Sequence, residues 1–196
     1  MKSIGFEKFL QEFNSSGKEK IDGYTHGHFD QMTNPERNHA FQLLSQELKQ
    51  SAVAIDPLFY IDKLEACTIF EDKYLTDKKT GNVNFHLIAK LWLCQKSDIY
   101  AEEFLQCYDS VSEYSLIAYI NDAATIDHQK SNDVLAKIIV DSEKEYVRRH
   151  AAKTLALKME ITDEVEKRQF VNSVTVENSH DRKLALAKEI EKRRKI

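Results

Sequence analysis

Three residues that can ligate a metal fall within five positions near the start of the chain: His26, His28 and Asp30. A His-x-His pair beside a carboxylate could begin a zinc site, but zinc needs three or four converging ligands. No further ligand can be assigned from the sequence, so we favour a polar loop and predict no metal and no cofactor. No phosphate-binding loop, paired-carboxylate or Ser-His-Asp pattern stands out either. We therefore expect a binding protein without catalytic residues.

The three cysteines, Cys67, Cys94 and Cys107, are odd in number and too widely spaced to indicate a metal site. Each lies in an apolar, helix-like stretch, which favours buried and unreactive thiols. No apolar run approaches the length of a membrane span, and the first residues lack the apolar segment of a secretion signal. These features together predict a cytoplasmic protein.

A strongly acidic window lies between Lys96 and Lys130, where the sequence has no lysine or arginine. On a helix, Asp98, Glu102 and Gln106 share one side. Such a surface can steer a basic partner, with tyrosines as anchors; an ordinary solvated surface over a core of tyrosines is the alternative. The window's tyrosines are Tyr100, Tyr108, Tyr114 and Tyr119. The predicted partner-binding residues are Asp98, Tyr100, Glu102, Glu103, Asp109, Glu113, Asp122 and Asp127.

The charge has the opposite sign at the other end of the chain. Residues 1–140 have seven more acidic than basic residues, whereas residues 141–196 have three more basic than acidic ones. Bases near a helix C-terminus suit its dipole, which is the simpler interpretation; a nucleic-acid contact is the alternative. We predict no nucleic-acid or membrane partner. The terminal bases are Lys183, Lys188, Lys192, Arg193, Arg194 and Lys195.

The elements that carry these residues are predicted to be helices. All five glycines and both prolines precede Asn82, and these residues disfavour helix interiors by about 1 and 3 kcal/mol. Apolar residues recur at helical spacing, which indicates about nine or ten helices, one of them continuing from Asp56 past Leu64 to Thr68. Loops are predicted at 14–33 and 76–82, with a shorter one at 121–131. The fold class is all-α, and 1–196 is expected to form one domain.

An arginine followed three residues later by an alanine occurs at Arg37, Arg148 and Arg182. The last two are 34 residues apart, and the first precedes the second by 111, close to three such periods. The small residue lets helices approach, and the arginine one turn earlier can bond to an adjacent unit, as in stacked helical hairpins.

The segment Asp141–Leu155 resembles a unit of the HEAT-repeat family in its acid, Val-Arg, Ala-Ala and Leu pattern. The match extends over 132–159, with partial matches at 34–48 and 180–190. The resemblance implies an irregular, right-handed HEAT-like array, an α-α superhelix, that serves as a binding scaffold.

Small, acidic, helical chains of this kind also resemble the immunity proteins of bacterial toxin systems, several of which are HEAT-like. That resemblance implies a protein that neutralises a basic toxin, typically a nuclease, by occluding its active cleft. A general HEAT-like scaffold for protein–protein assembly is the alternative. A HEAT-like DNA glycosylase fits less well, because such enzymes need a basic groove and residues 1–140 are acidic.

Overall fold

The computed structural model of the chain describes residues 2–15 and 24–194. Within these residues every regular element is helical and no strand occurs, which confirms the all-α prediction. No helix in the described part combines the length and apolar character needed to cross a bilayer. The chain packs as two compact units: unit 1, Met1–Lys96, and unit 2, Ser97–Ile196.

Unit 1 has an aromatic core around the first helix. Its α-helices in the described part are α1 Ile4–Phe13, α2 His26–Asp30, α3 Asn34–Glu47, α4 Ile55–Ile61, α5 Lys63–Thr80 and α6 Phe85–Gln95. Helix α1 packs on α2 and α3, and α4 packs on α3, α5 and α6. The ring of Phe9, which is fully buried, contacts those of Phe6, Phe13 and Phe29 at centroid distances of 5.6 to 6.1 Å. This cluster fixes α1 against α2.

Two residues set how closely the first helices approach. The carboxylate of Glu36 accepts hydrogen bonds from the backbone N–H groups of Ser3 (2.7 Å) and Thr33 (2.9 Å), which join the starts of α1 and α3. These bonds lower the pKa of Glu36 to about 2. Gly5 lies directly against α2, where an added Cβ would be 2.8 Å from the Cβ of Gln31.

The prediction of three free thiols is wrong, because Cys67 in α5 and Cys94 in α6 form a disulfide. The packing of α5 on α6 brings their Cα atoms to 5.9 Å, although 27 residues separate them in sequence. Cys107 is the free cysteine. Disulfides persist mainly in oxidising compartments. The disulfide therefore favours an oxidising compartment, whereas the sequence features predict the cytoplasm, which is reducing.

Several predicted boundaries in unit 1 also need correction. Asp62 is extended (φ −147°, ψ 99°) and accepts a hydrogen bond from the N–H of Glu65, so it ends α4 and begins α5 where one continuous helix was predicted. Leu64, expected on the buried side of that helix, is 85% exposed. Helix α5 continues to Thr80, which confines the predicted 76–82 loop to its last residues. Helix α2 occupies part of the predicted 14–33 loop, of which 16–23 lie outside the described residues.

Unit 2 is built from three helical hairpins in its described part. They are α7 Asp98–Cys107 with α8 Leu116–Thr125, α9 Gln129–Asp141 with α10 Glu145–Lys158, and α11 Glu164–Val174 with α12 Ser179–Arg194. In the first two hairpins α7 packs on α9 and α8 on α10, as in a stacked array. The third is reversed, because α11 packs on α10 and α12 packs on α9. Helices α9 to α12 therefore form a closed ring of four.

The arginines 34 residues apart have equivalent roles in unit 2. Nη1 of Arg148 donates to the carbonyls of Ser142 and Glu143, and Nη1 of Arg182 donates to those of Val176 and Glu177, at the same offsets of six and five residues. Each arginine thus holds the turn before its own helix. Arg182 also donates to Val140 O in the preceding hairpin, which is the predicted bond to an adjacent repeat; within the described residues, the hydrogen bonds of the Arg148 side chain stay within its own hairpin.

The earliest member of the proposed repeat differs in its geometry. Arg37 donates through Nε to the carbonyl of Phe29, eight residues earlier, at 2.8 Å, and lies 3.6 Å from the carboxylate of Asp30. His39, which follows it, contacts the ring of Phe6, whereas the matching His150 bonds to Asn121. The structural equivalence is therefore established only for Arg148 and Arg182.

Candidate functional site

The predicted acidic window occupies α7, α8 and the turns between and after them, all in unit 2. Helix α7 buries Tyr100 and Phe104 and exposes Asp98 and Glu102, as its sequence spacing predicts. Two 3₁₀ turns, Tyr108–Ser110 and Glu113–Ser115, lead from α7 to α8. We call the exposed carboxylates of this window the acidic surface: Asp98, Glu102, Asp109, Glu113 and Asp127.

Three of the predicted partner-binding residues are not on this surface. Tyr100 and Asp122 are each only 6% exposed, and Glu103 is half-buried. Asp122 lies on the inward side of α8, next to Ala123 in the core. A partner docking on the folded chain would therefore meet neither the Tyr100 nor the Asp122 side chain, and these two assignments are corrected.

The window's tyrosines contribute mostly to the core. Tyr119 stacks on Phe104 at a centroid distance of 4.4 Å and donates its hydroxyl hydrogen to Phe104 O at 2.6 Å. Tyr108 is half-buried beneath the ammonium of Lys137, 4.7 Å from its ring centroid. Tyr114, by contrast, is 98% exposed and follows Glu113 in the second 3₁₀ turn. It is the one tyrosine of the window that could serve as a surface anchor.

Two lysines from outside the window and one histidine within it lie next to carboxylates of the acidic surface. Lys137 lies 2.7 Å from Asp109, Lys144 lies 3.2 Å from Glu113, and His128 lies 3.4 Å from Asp98. The sequence could not show these partners, because Lys137 and Lys144 come from α9 and the turn after it. Within the described part of the chain, Glu102 and Asp127 have no ion pair with Lys, Arg or His within 4.0 Å.

Cys107 at the end of α7 is not suited to nucleophilic chemistry. Burial, together with the nearby Glu103 carboxylate, raises the pKa of its thiol to about 11. The reactive form of a cysteine is the thiolate. At neutral pH this side chain is therefore protonated, as expected of an inert thiol.

The possible metal ligands near the start of the chain are engaged separately. His26 stacks on Tyr60 at 4.6 Å, while Asp30 accepts the Tyr60 hydroxyl hydrogen at 2.8 Å. His28 is oriented toward Glu12, 3.4 Å from its carboxylate. Among the residues that the structure describes, no group of three His, Cys, Asp or Glu side chains could hold a metal ion.

The basic end of the chain lies on α12. Lys183, Lys188 and Lys192 are exposed there. Arg193, Arg194 and Lys195, which complete the predicted basic group, lie outside the residues whose side chains are described.

A second feature, which the sequence reasoning missed, is a cleft of about 650 Å³ beside the starts of α10 and α12. Arg148 and Arg182, only 4% and 3% exposed, are among the residues that line it. Asp141, Glu143, Glu145 and Glu177 also line it. The repeat pattern could have indicated this cleft, because Glu143 and Glu177 are 34 residues apart, as are Arg148 and Arg182. The sequence predicts for these arginines only a bond to an adjacent repeat.

Comparison with known proteins gives no relative for this chain: no family model, no curated protein and no solved structure matches it.

Proposed function

We propose that this protein binds a basic protein through the acidic surface and neutralises it, in the manner of the toxin-immunity proteins that its sequence resembles. The observation that supports this most is the exposure of five carboxylates within a segment that contributes no lysine or arginine of its own. The HEAT-like array remains part of the proposal; the stacking of α7 on α9 and of α8 on α10 favours it.

The existing ion pairs are compatible with such binding. Asp98 and Asp109 have side chains 84% and 79% exposed, and exposed pairs contribute only about 0 to 1 kcal/mol. Lysines and arginines of a partner can therefore replace His128 and Lys137 at little cost. Complementary charge of this kind raises the association rate and selects against acidic partners. Tyr114 would supply the aromatic contact beside Glu113.

The test reverses two carboxylates that form no ion pair within 4.0 Å in the described part of the chain, so the only interaction it changes there is the weaker attraction between Asp127 and Lys158. The tagged protein and the variant Glu102→Lys with Asp127→Lys are used to capture partners from cells that express the protein, and the captured species is purified. We expect one basic protein whose affinity falls by about tenfold or more in the variant and also falls as salt is raised.

The matched control is Glu65→Lys with Asp72→Lys, which changes the net charge equally at two exposed positions in unit 1. Circular dichroism of each variant verifies the fold. If the two variants bind the partner equally well, or if salt leaves the affinity unchanged, the acidic surface is not the binding site. If the captured protein retains its toxic activity in the complex, the neutralising function is rejected.

A general scaffold is the second candidate, and exposed apolar residues of unit 2 favour it. Leu157, Val165 and Leu184 are 62%, 64% and 58% exposed. Contacts through such residues depend on apolar area rather than on charge. A scaffold would therefore bind several partners with little salt dependence, and Glu102→Lys with Asp127→Lys would leave that binding intact.

A further inference from the structure

The two buried arginines of the cleft differ in how their donors are satisfied. Nε and Nη2 of Arg182 donate to Val140 O at 3.2 and 2.6 Å, and its Nη1 holds the turn before α12. Nη1 of Arg148 holds the equivalent turn through Ser142 O and Glu143 O. Nε of Arg148 is buried and has no acceptor within the described part of the chain. Arg148 therefore lacks the contact that its structural counterpart makes.

A buried guanidinium donor without an acceptor is uncommon, because most buried polar groups are hydrogen-bonded. The Nε side of a guanidinium matches the two oxygens of a carboxylate or phosphate. Arg148 lines the cleft, so an oxyanion that enters the cleft and displaces the atoms covering its buried Nε could provide the missing acceptor. It would also reduce the repulsion between the two arginines, which, after burial, is a cause of the lowered pKa of Arg182. The helices α10 and α12 begin beside the cleft, and their positive ends favour an anion.

The carboxylates around the arginines decide which anion fits. Asp141, Glu143, Glu145 and Glu177 line the same cleft, and Glu145 is neutralised by Arg149 at 2.7 Å. The remaining acids would repel a dianion such as phosphate. They would attract a ligand that carries a positive group close to its own carboxylate. A chain end with a basic last residue has this arrangement.

We propose that the cleft binds the C-terminal residue of a basic peptide, with its carboxylate on the Nε side of Arg148 and its cationic side chain among Asp141, Glu143 and Glu177. This site is separate from the acidic surface, and none of the residues in that surface is needed for it. Its failure would leave the proposed function standing, and the reverse also holds.

The test compares peptides that differ in one group each. The probes are acetyl-Gly-Gly-Lys-Arg as the free acid, the same peptide as its C-terminal amide, and acetyl-Gly-Gly-Ala-Ala as the free acid. Titration calorimetry on the full chain should show the basic acid binding about tenfold or more tightly than either of the others. Nitrogen-15 NMR should show the Nε–H signal of Arg148 shifting with the basic acid only.

Variants test the part of the site that binds the carboxylate and the part that binds the cationic side chain one at a time. Arg148→Lys keeps a positive charge without the planar fork, so the preference for the acid over the amide should disappear. Glu143→Gln with Glu177→Gln should weaken the basic peptide while that preference is kept. Lys153→Arg, at an exposed position of α10 that does not line the cleft, is the control and should change neither.

Equal binding of the acid and the amide to the wild-type chain would overturn the proposal. Tighter binding of inorganic phosphate than of the basic peptide acid would also overturn it. So would the absence of binding by any probe at millimolar concentration. If Arg148→Lys does not fold, the peptide series on the wild-type chain and the Glu143→Gln with Glu177→Gln variant decide the matter.

Discussion

The close contact between α1 and α2 depends on the absence of a side chain at Gly5. A Cβ there would lie 2.8 Å from the Cβ of Gln31 and would overlap the carbonyl oxygen of His28. Since backbone is involved, the neighbour cannot simply rotate away. We expect Gly5→Ala to lower the free energy of unfolding by about 1 to 3 kcal/mol, the cost typical of overpacking. Urea unfolding followed by circular dichroism measures it.

Gly27 in α2 is the matched control, because no atom lies within 4 Å of the position that its Cβ would take. Alanine favours a helix over glycine by up to about 1 kcal/mol. Gly27→Ala should therefore be neutral or stabilising. If Gly5→Ala were as stable as Gly27→Ala, the two helices would not be in contact at Gly5.

The exposure of single side chains could be predicted where a helix is regular and not elsewhere. The spacing in α7 correctly placed Asp98 and Glu102 outward and Phe104 inward. Asp122 is buried in α8, although its place in the acidic window indicated exposure, because it follows the buried Tyr119 by three residues and shares the inward side of that helix. The basic partners of the acidic surface could not be predicted, because they lie far away in sequence: Lys137 and Asp109 are 28 residues apart.

The disulfide between α5 and α6 should contribute strongly to the stability of unit 1. In the chain-entropy model, a bond that closes a loop of this length stabilises a protein by about 3.5 kcal/mol. We expect Cys67→Ser with Cys94→Ser to lower the free energy of unfolding by about that amount. Cys107→Ser, which removes the free thiol of unit 2, is the control and should have a smaller effect.

Thiol titration of the unfolded, non-reduced protein tests the bond directly. One thiol per chain should react, that of Cys107, and three should react after reduction. In the folded protein the Cys107 thiol should react slowly at neutral pH, because its pKa is raised to about 11. Three reactive thiols without reductant would show that the protein carries no disulfide, as its sequence first suggested.

Of the properties of the helices, their total content was the most predictable. The lack of glycine and proline after Gly81 leaves few places where a helix must end, and the described part of that segment is helical apart from short turns. Which helices pack together was not predictable. The pairing of Cys67 with Cys94 and the reversal of α11 and α12 both depend on contacts between distant elements.

The division of the molecule into two compact units could not be predicted from its sequence. No glycine- or proline-rich linker stands near Lys96, and residues 1–196 were therefore expected to form one domain. Yet each unit has a core of its own. Phe9 and Phe70 are buried in unit 1, and Tyr119, Ile138 and Phe170 are buried in unit 2. A segment of about 100 residues is large enough to fold by itself.

We therefore expect the fragment Ser97–Ile196 to fold without unit 1. The ring of α9 to α12, with α7 and α8 packed on it, contains buried apolar residues such as Ile138 and Phe170. Circular dichroism should show a helical spectrum, and urea should unfold the fragment in one cooperative transition with a slope of about 1 to 3 kcal/mol per molar. The fragment should also retain the peptide site of Arg148, because every residue lining the cleft lies in it. A fragment that is unfolded, or that melts without cooperativity, would instead support a single domain over 1–196, since unit 2 would then need residues 1–96 to complete its core.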